Sequence, residues 1–341
     1  MTHSGKFELV LPSGGQTSTD EGWQKYRPAF VNAWESAAVN LRAHKIIVGT
    51  DSYLVSVDWT STLKRQKRYH AALRYIYRDK TPSVGRLLKA RFPQHPARNP
   101  IEVSTENAKT PHFLSIAESV VHDAFLTMNI AAPGCCNFYR ASLLGDRIEP
   151  NVSMSSDIFD SALYVSLKDG WPEIAFLNLS RVVDWYHSVR NGAAQVPSNP
   201  MERVLFALLH LSRIDISPVE VVWLFYAFES LLQTRAGENF SSLVKRLCLL
   251  LNANEQQSGI VRRRMRDLYD IRSGIVHGGY EISHPMHDSA LDKRTDESVM
   301  KILRAVDYGH AFLVAAIQKT ILNDWRFPTF DEVISGDRLP S

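Results

Sequence analysis

Six segments of helical period follow one another in the second half of the chain, at 177–190, 200–213, 217–235, 240–252, 256–277 and 295–324. Proline and glycine are concentrated between these segments or in their first turns, at Pro197, Pro200, Pro218, Gly237 and Gly278. Helices that each carry an apolar stripe must bury it against one another, so this half is expected to form a helical bundle. The first half has a different texture. "FELVL" reads as a short strand, Trp23 to Ala43 has helical spacing, and "KIIVGTDSYLVSVDW" reads as a hairpin around a Gly-Thr-Asp-Ser turn. Residues 63–92 resemble one or two basic helices, "FPQHPARNP" a proline-rich breaker, 113–130 a further helix, and "ALYVSLKDGWPEIAFL" a second hairpin. The expected fold class is therefore α+β. A mixed α/β N-terminal domain is expected over residues 1–174, an all-α helical bundle over 175–325 and a tail over 326–341.

With 341 residues, 45% of them hydrophobic, the chain has enough material for two cores. The net charge is only +3, so affinity for an anionic partner must come from local clusters. Lys64, Arg65, Lys67, Arg68, Arg74 and Arg78 form one, and Arg86, Lys89 and Arg91 extend it. Arg262, Arg263, Arg264 and Arg266 form another. Of the three cysteines, the adjacent Cys135 and Cys136 lack zinc-ligand spacing and comfortable disulfide geometry, and Cys248 stands alone. A reducing, cytoplasmic setting is expected. No run reaches the roughly 18 apolar residues of a membrane span, and the N-terminus lacks a signal-peptide pattern, so no membrane or export role is expected.

No glycine-rich phosphate loop, nucleophile elbow or zinc-type pairing is readable, and neither a metal nor another cofactor is expected. His284, His287 and Asp288 have ligand chemistry but sit in a proline-containing loop, which reads as surface. His122 and Asp123 are neighbours on a helix and should diverge, which favours a structural role. Trp171, Trp185, Trp223 and Trp325 fall in apolar patterns and read as core, whereas Tyr69, Tyr75 and Tyr77 are interleaved with the basic cluster and could stack bases.

Two stretches carry the functional reading. In "SPVEVVWLFYAFESLLQT" the residues from Val219 to Phe228 are apolar except Glu220, so the helix is expected to be buried on all sides. Ser217 is a natural N-cap, Pro218 suits the first turn and Glu220 sits where a capping carboxylate would. Glu229, just past the run, either reaches solvent or is held inside by a cation, for which Arg272 is the candidate. The second stretch, "DLYDIRSGIVHGGY", places Arg272 and His277 five residues apart, about 140° around a regular helix. Gly278 supplies the left-handed residue that ends a helix, leaving His277 at the cap and free to fold back toward the arginine. A helix C-terminus favours a cationic side chain there.

"DLYDIRSGIVHGG", preceded some forty residues upstream by "YAFESLL", resembles the Apea-like branch of the HEPN domains. That family's hallmark is an arginine, a polar residue and a histidine four to six positions after the arginine, here Arg272, Ser273 and His277. The similarity covers about residues 175–325. Many members carry asparagine, aspartate or histidine where this chain has Ser273. The resemblance implies a metal-independent endoribonuclease, often in toxin or anti-phage settings, in which two protomers bring their motifs together. RNA brings its own nucleophile, the ribose 2′-OH, so the residues need only move protons and stabilise phosphoryl charge. On that reading His277 is the general acid/base, Arg272 stabilises the phosphate, Ser273 orients and Glu229 supports Arg272. Arg262, Arg263, Arg264 and Arg266 would hold flanking phosphates. The products would be a 2′,3′-cyclic phosphate and a 5′-hydroxyl. RNA substrate and a homodimer through the C-terminal domain are the expected partners. The N-terminal domain would sense, deliver or dock a regulatory partner. The alternative is a non-catalytic module of the same fold that binds RNA, a nucleotide or a protein; a different enzyme in the N-terminal half is the third reading.

Overall fold

Alternation organises the sheet. Tyr53, Val55 and Val57 are buried while Leu54 and Ser56 between them are exposed, the pattern of a strand with one face in the core. The structure of the chain, a computed structural model, describes residues 3–12, 26–78, 83–108, 112–145, 152–213, 218–234, 240–284 and 288–331. Trp23, Ser217, Gly237 and His287, and the tail beyond residue 331, lie outside the described residues.

The elements run β1 (His3–Leu11), α1 (Arg27–Asn40), β2 (Ala43–Val48), β3 (Asp51–Val57), α2 (Thr60–Ile76), α3 (Val84–Lys89), β4 (Ala97–Thr105), α4 (Phe113–Ala131), β5 (Ser142–Leu144) and α5 (Asp157–Asp169). Six helices follow: α6 (Leu179–Val189), α7 (Pro200–Leu211), α8 (Val219–Leu231), α9 (Phe240–Leu250), α10 (Glu255–Val276) and α11 (Arg294–Leu322). The fold is α+β, with one antiparallel sheet of order β2-β3-β4-β1-β5. The expected β2–β3 hairpin is present, with Gly49 at φ +60 in its turn.

Two expectations are corrected. The segment taken as a proline-rich breaker, residues 92–100, holds the first four residues of β4, which is central in the sheet. Proline is tolerated because the Pro100 carbonyl accepts from Asp58 N at 2.9 Å, so its nitrogen faces the same side, where pairing with β3 has already ended at Val57–Ile101. The segment taken as a second hairpin, residues 162–177, holds the C-terminal part of α5, which stops at Gly170 in the left-handed conformation. Its apparent alternation came from Tyr164 and Leu167, which are apolar but exposed. Among the described residues of that segment no strand occurs.

Helix α4 crosses the buried face of the sheet. It approaches β1 so closely at Gly5 that a Cβ there would lie 2.9 Å from the Phe113 Cβ. On its other side α4 meets α6, α7 and α11, and α5 lies along α11. One hydrophobic core consequently runs from Leu9 to Ile321 without a break at residue 175. Helix α8 is not buried on all sides, since Val219 and Tyr226 are exposed. Glu220 does not cap it. The side chain is buried and its Oε1 lies 2.8 Å from His310 Nε2 on α11. Trp185 is buried as expected, but Trp325 is exposed. Within the basic cluster Arg65 turns inward, donating to the carbonyls of Leu11 at 2.6 Å and Pro12 at 2.9 Å, and burial lowers its pKa to about 10. Among the described residues no helix is long and apolar enough to cross a membrane.

Candidate functional site

Helix α10 begins with a complete capping box, Asn254 accepting from Gln257 N and Gln257 reaching back to Asn254 N, each at 2.9 Å. Val261, Met265, Leu268 and Ile271 form its buried stripe. Gly309 lets α11 close onto it, because a Cβ there would meet Leu268 Cδ1 at 2.9 Å and Leu224 Cδ1 at 3.1 Å. Arg272 comes one turn after Leu268 and therefore sits at the margin of the stripe. Its guanidinium lies 5.7 Å from the Phe225 ring centroid, and Nη2 is 3.7 Å from Glu229 Oε1, both partners on α8. Arginine and glutamate are 32% and 44% exposed, so the carboxylate tethers the arginine at the surface rather than holding it in the core. The two outcomes weighed for Glu229 thus meet halfway.

Helix α10 ends as the glycines dictate. His277 is the C-cap, its N–H bonded to Ser273 O at 3.0 Å, and Gly278 follows at φ +73. Tyr280 then folds back, donating its N–H to Gly274 O at 3.0 Å; a Cβ on Gly274 would sit 3.2 Å from the Tyr280 Cβ. His277 is exposed, and Ser273, one turn earlier, shares its side of the helix. Among the described residues no hydrogen bond or ion pair joins the side chains of Arg272, Ser273 and His277. The fold-back of His277 onto Arg272 does not occur within one chain.

The arginine run divides. Arg262 and Arg263 are exposed. Arg266 is also exposed but lies over the Phe240 ring at 4.3 Å and near Tyr269 at 5.6 Å. Arg264 turns toward α11, over the Tyr308 ring at 4.1 Å, with Asp267 at 3.7 Å. A groove of about 750 Å³ opens between α10 and α11 beside the motif, but its walls mix Asp267, Asp270 and Glu297 with Arg264, Lys301 and Arg304. Arg272 and His277 do not line it. Among the described residues no group of three or more His, Cys, Asp or Glu side chains is arranged to hold a metal ion. The cysteines are free, and burial raises the thiol pKa of Cys135 and Cys136 well above the ordinary value.

The sequence reading missed two buried polar clusters. Glu202 is wholly buried; burial alone would raise its pKa, but hydrogen bonds outweigh it, from Ser198 N at 2.7 Å, Asn191 N at 2.6 Å, Ser198 Oγ at 2.7 Å and Arg190 Nη1 at 3.3 Å, leaving it lowered. The spacing Asn199-x-x-Glu202 is a capping-box signature that could have marked it. His310 bridges Glu220 and Ser161, whose hydroxyl donates to Asp307 at 2.6 Å. His122 and Asp123 take different partners, Arg213 and Tyr186, as expected of neighbours on a helix, although both border one cavity. No family model, no curated protein and no solved structure matches the chain.

Proposed function

We propose that the chain is a metal-independent endoribonuclease of HEPN type, with its active centre at the end of α10 and residues 175–325 as the HEPN-like helical domain. The observation that carries this reading is that Arg272 and His277 are both accessible at one helix end but do not touch. One chain presents a tethered arginine and a free histidine; two copies facing each other would present two of each. One histidine takes the proton of a ribose 2′-OH, whose oxygen attacks the phosphorus; the P–O5′ bond breaks, and the second histidine gives its proton to the departing oxygen. A 2′,3′-cyclic phosphate and a 5′-hydroxyl result. Arg272, its direction set by Glu229 and Phe225, binds the phosphoryl oxygens as charge builds on them. Ser273, on the side of His277, helps to orient it.

Arg262, Arg263 and Arg266 face solvent on the same helix and hold the flanking phosphates; Arg264, engaged with Tyr308 and Asp267, contributes least. Residues 1–174 sense a trigger, dock a partner or deliver substrate, and the setting is a toxin or anti-phage response in the cytoplasm. The test is cleavage of labelled RNA by wild type, His277→Ala and Arg272→Ala in EDTA. Wild type should cut and both variants should lose cutting while keeping the native circular dichroism spectrum. A folded, fully active His277→Ala protein would sink the mechanism. If wild type binds RNA without cutting it, the non-catalytic module takes its place.

A further inference from the structure

A cavity of about 510 Å³ lies between α4, α7 and the loop that follows α6, within the roughly 300–1,000 Å³ range of small-molecule sites. Two arginines border it. Arg213, at the end of α7, is exposed and donates from Nη2 to His122 Nε2 at 2.7 Å. An Nε2 that accepts leaves the ring proton on Nδ1, so the histidine in this bond is neutral. Burial first, and the Arg213 charge second, lower the His122 pKa to about 4, which agrees with that tautomer. Arg213 is thus oriented by an uncharged partner, and among the described residues no carboxylate forms an ion pair with it.

The second arginine, Arg190, is buried, with its side chain 7% exposed. It is fixed by Ala194 O at 2.8 Å and by Glu202, and its guanidinium lies 5.0 Å over the Phe206 ring. Its Nε is 3.8 Å from Asp123 Oδ1 but has no hydrogen-bond acceptor in reach. Asp123 instead accepts from the Tyr186 hydroxyl at 2.6 Å, and burial raises its pKa. That Nε has no exposed surface, so what Arg190 offers the cavity is the remainder of its guanidinium. Glu118, also on the wall, carries the opposite charge and sets a limit on how much anionic charge the cavity accepts.

We propose that this cavity binds a small molecule through an oxyanion group, a phosphate ester or a carboxylate, held by Arg213 and Arg190 with the His122 Nδ1–H as a further donor. Arginine's planar fork suits either oxyanion, and Phe206 gives an apolar wall for the rest of the molecule. The site is built from α4, α6, α7 and their connections, and it shares no residue with the motif on α10.

The experiment is calorimetric titration of the full-length protein with inorganic phosphate, adenosine 5′-monophosphate and succinate, each against wild type and Arg213→Ala. Arg213 is exposed, so the variant should fold, which its circular dichroism spectrum checks. Saturable binding of at least one probe, weakened about tenfold or more in the variant, is expected from the loss of a charge-assisted hydrogen bond. Succinate alone would assign a carboxylate, and phosphate or the nucleotide a phosphoryl group. Absence of saturable binding by all three, or equal binding by Arg213→Ala, would overturn the proposal. Neither result depends on whether the protein cuts RNA.

Discussion

Replacing Asp160 with asparagine should remove a large part of the pH dependence of stability. The Asp160 carboxyl lies against Gly134, where an added Cβ would stand 2.1 Å from its Oδ1, and it accepts from Ser156 Oγ at 2.7 Å. Among the described residues no cation forms an ion pair with it. Burial foremost, and the neighbouring Asp157 charge, raise its pKa from 3.8 to about 7, against the Ser156 hydrogen bond, which lowers it. The folded chain therefore holds a proton that the unfolded chain has already lost. A raised pKa contributes stability that is fully present below the unfolded value and lost as pH rises through the folded one. Each pH unit between the two is worth ~1.4 kcal/mol, so the loss reaches up to ~4 kcal/mol; because the residue is only half-buried overall, 2 to 4 kcal/mol is the expected range, roughly. Urea unfolding at about pH 4.5, 6 and 8 should show wild type weakening across that interval. Asp160→Asn should lack that component and gain on wild type as pH rises. Equal slopes for the two proteins would refute the assignment.

Other perturbations follow from the same geometry. Glu202→Ala should cost about 3–5 kcal/mol in urea unfolding, because it strands the buried Arg190 and two backbone N–H groups. Since the Glu202 pKa is lowered in the fold, its contribution should be present above 4.5 and fade as pH falls below it. Glu220→Leu and His310→Leu should each destabilise by a few kcal/mol, roughly, and the double variant by less than their sum, since either single change leaves one buried partner alone. Additive losses would show the two side chains to be uncoupled. Glu229→Ala should shift stability by under about 1 kcal/mol, given its exposure, yet reduce RNA cleavage roughly tenfold by freeing Arg272. Unchanged cleavage would remove Glu229 from the mechanism.

The helices from α6 to α11 were legible because each apolar stripe stops at a proline, a glycine or a capping asparagine such as Asn178, Asn199 or Asn254. In the N-terminal sheet β1 and the β2–β3 hairpin were legible, but the central β4 and the edge strand β5 were not. Pro100 hid β4, and the exposed Tyr164 and Leu167 gave α5 a false alternation. At the candidate site the helix end at Gly278 and the approach of Glu229 to Arg272 could be read from local chemistry. The engagement of Arg264 and Arg266 could not, because Tyr308 and Phe240 reach them from other helices. The same holds for His122, whose partner Arg213 is 91 residues away in sequence. Spacing reports what lies on one helix, and only packing reports what crosses between two.

The proposed cleavage of RNA uses Arg272 and His277 and no metal. The most direct measurement is the end chemistry of RNA incubated with the wild-type protein in EDTA, beside His277→Ala. Fragments ending in 2′,3′-cyclic phosphate and beginning with 5′-hydroxyl are expected from wild type alone. Intact RNA with wild type, or fragments bearing 5′-phosphate, would contradict it.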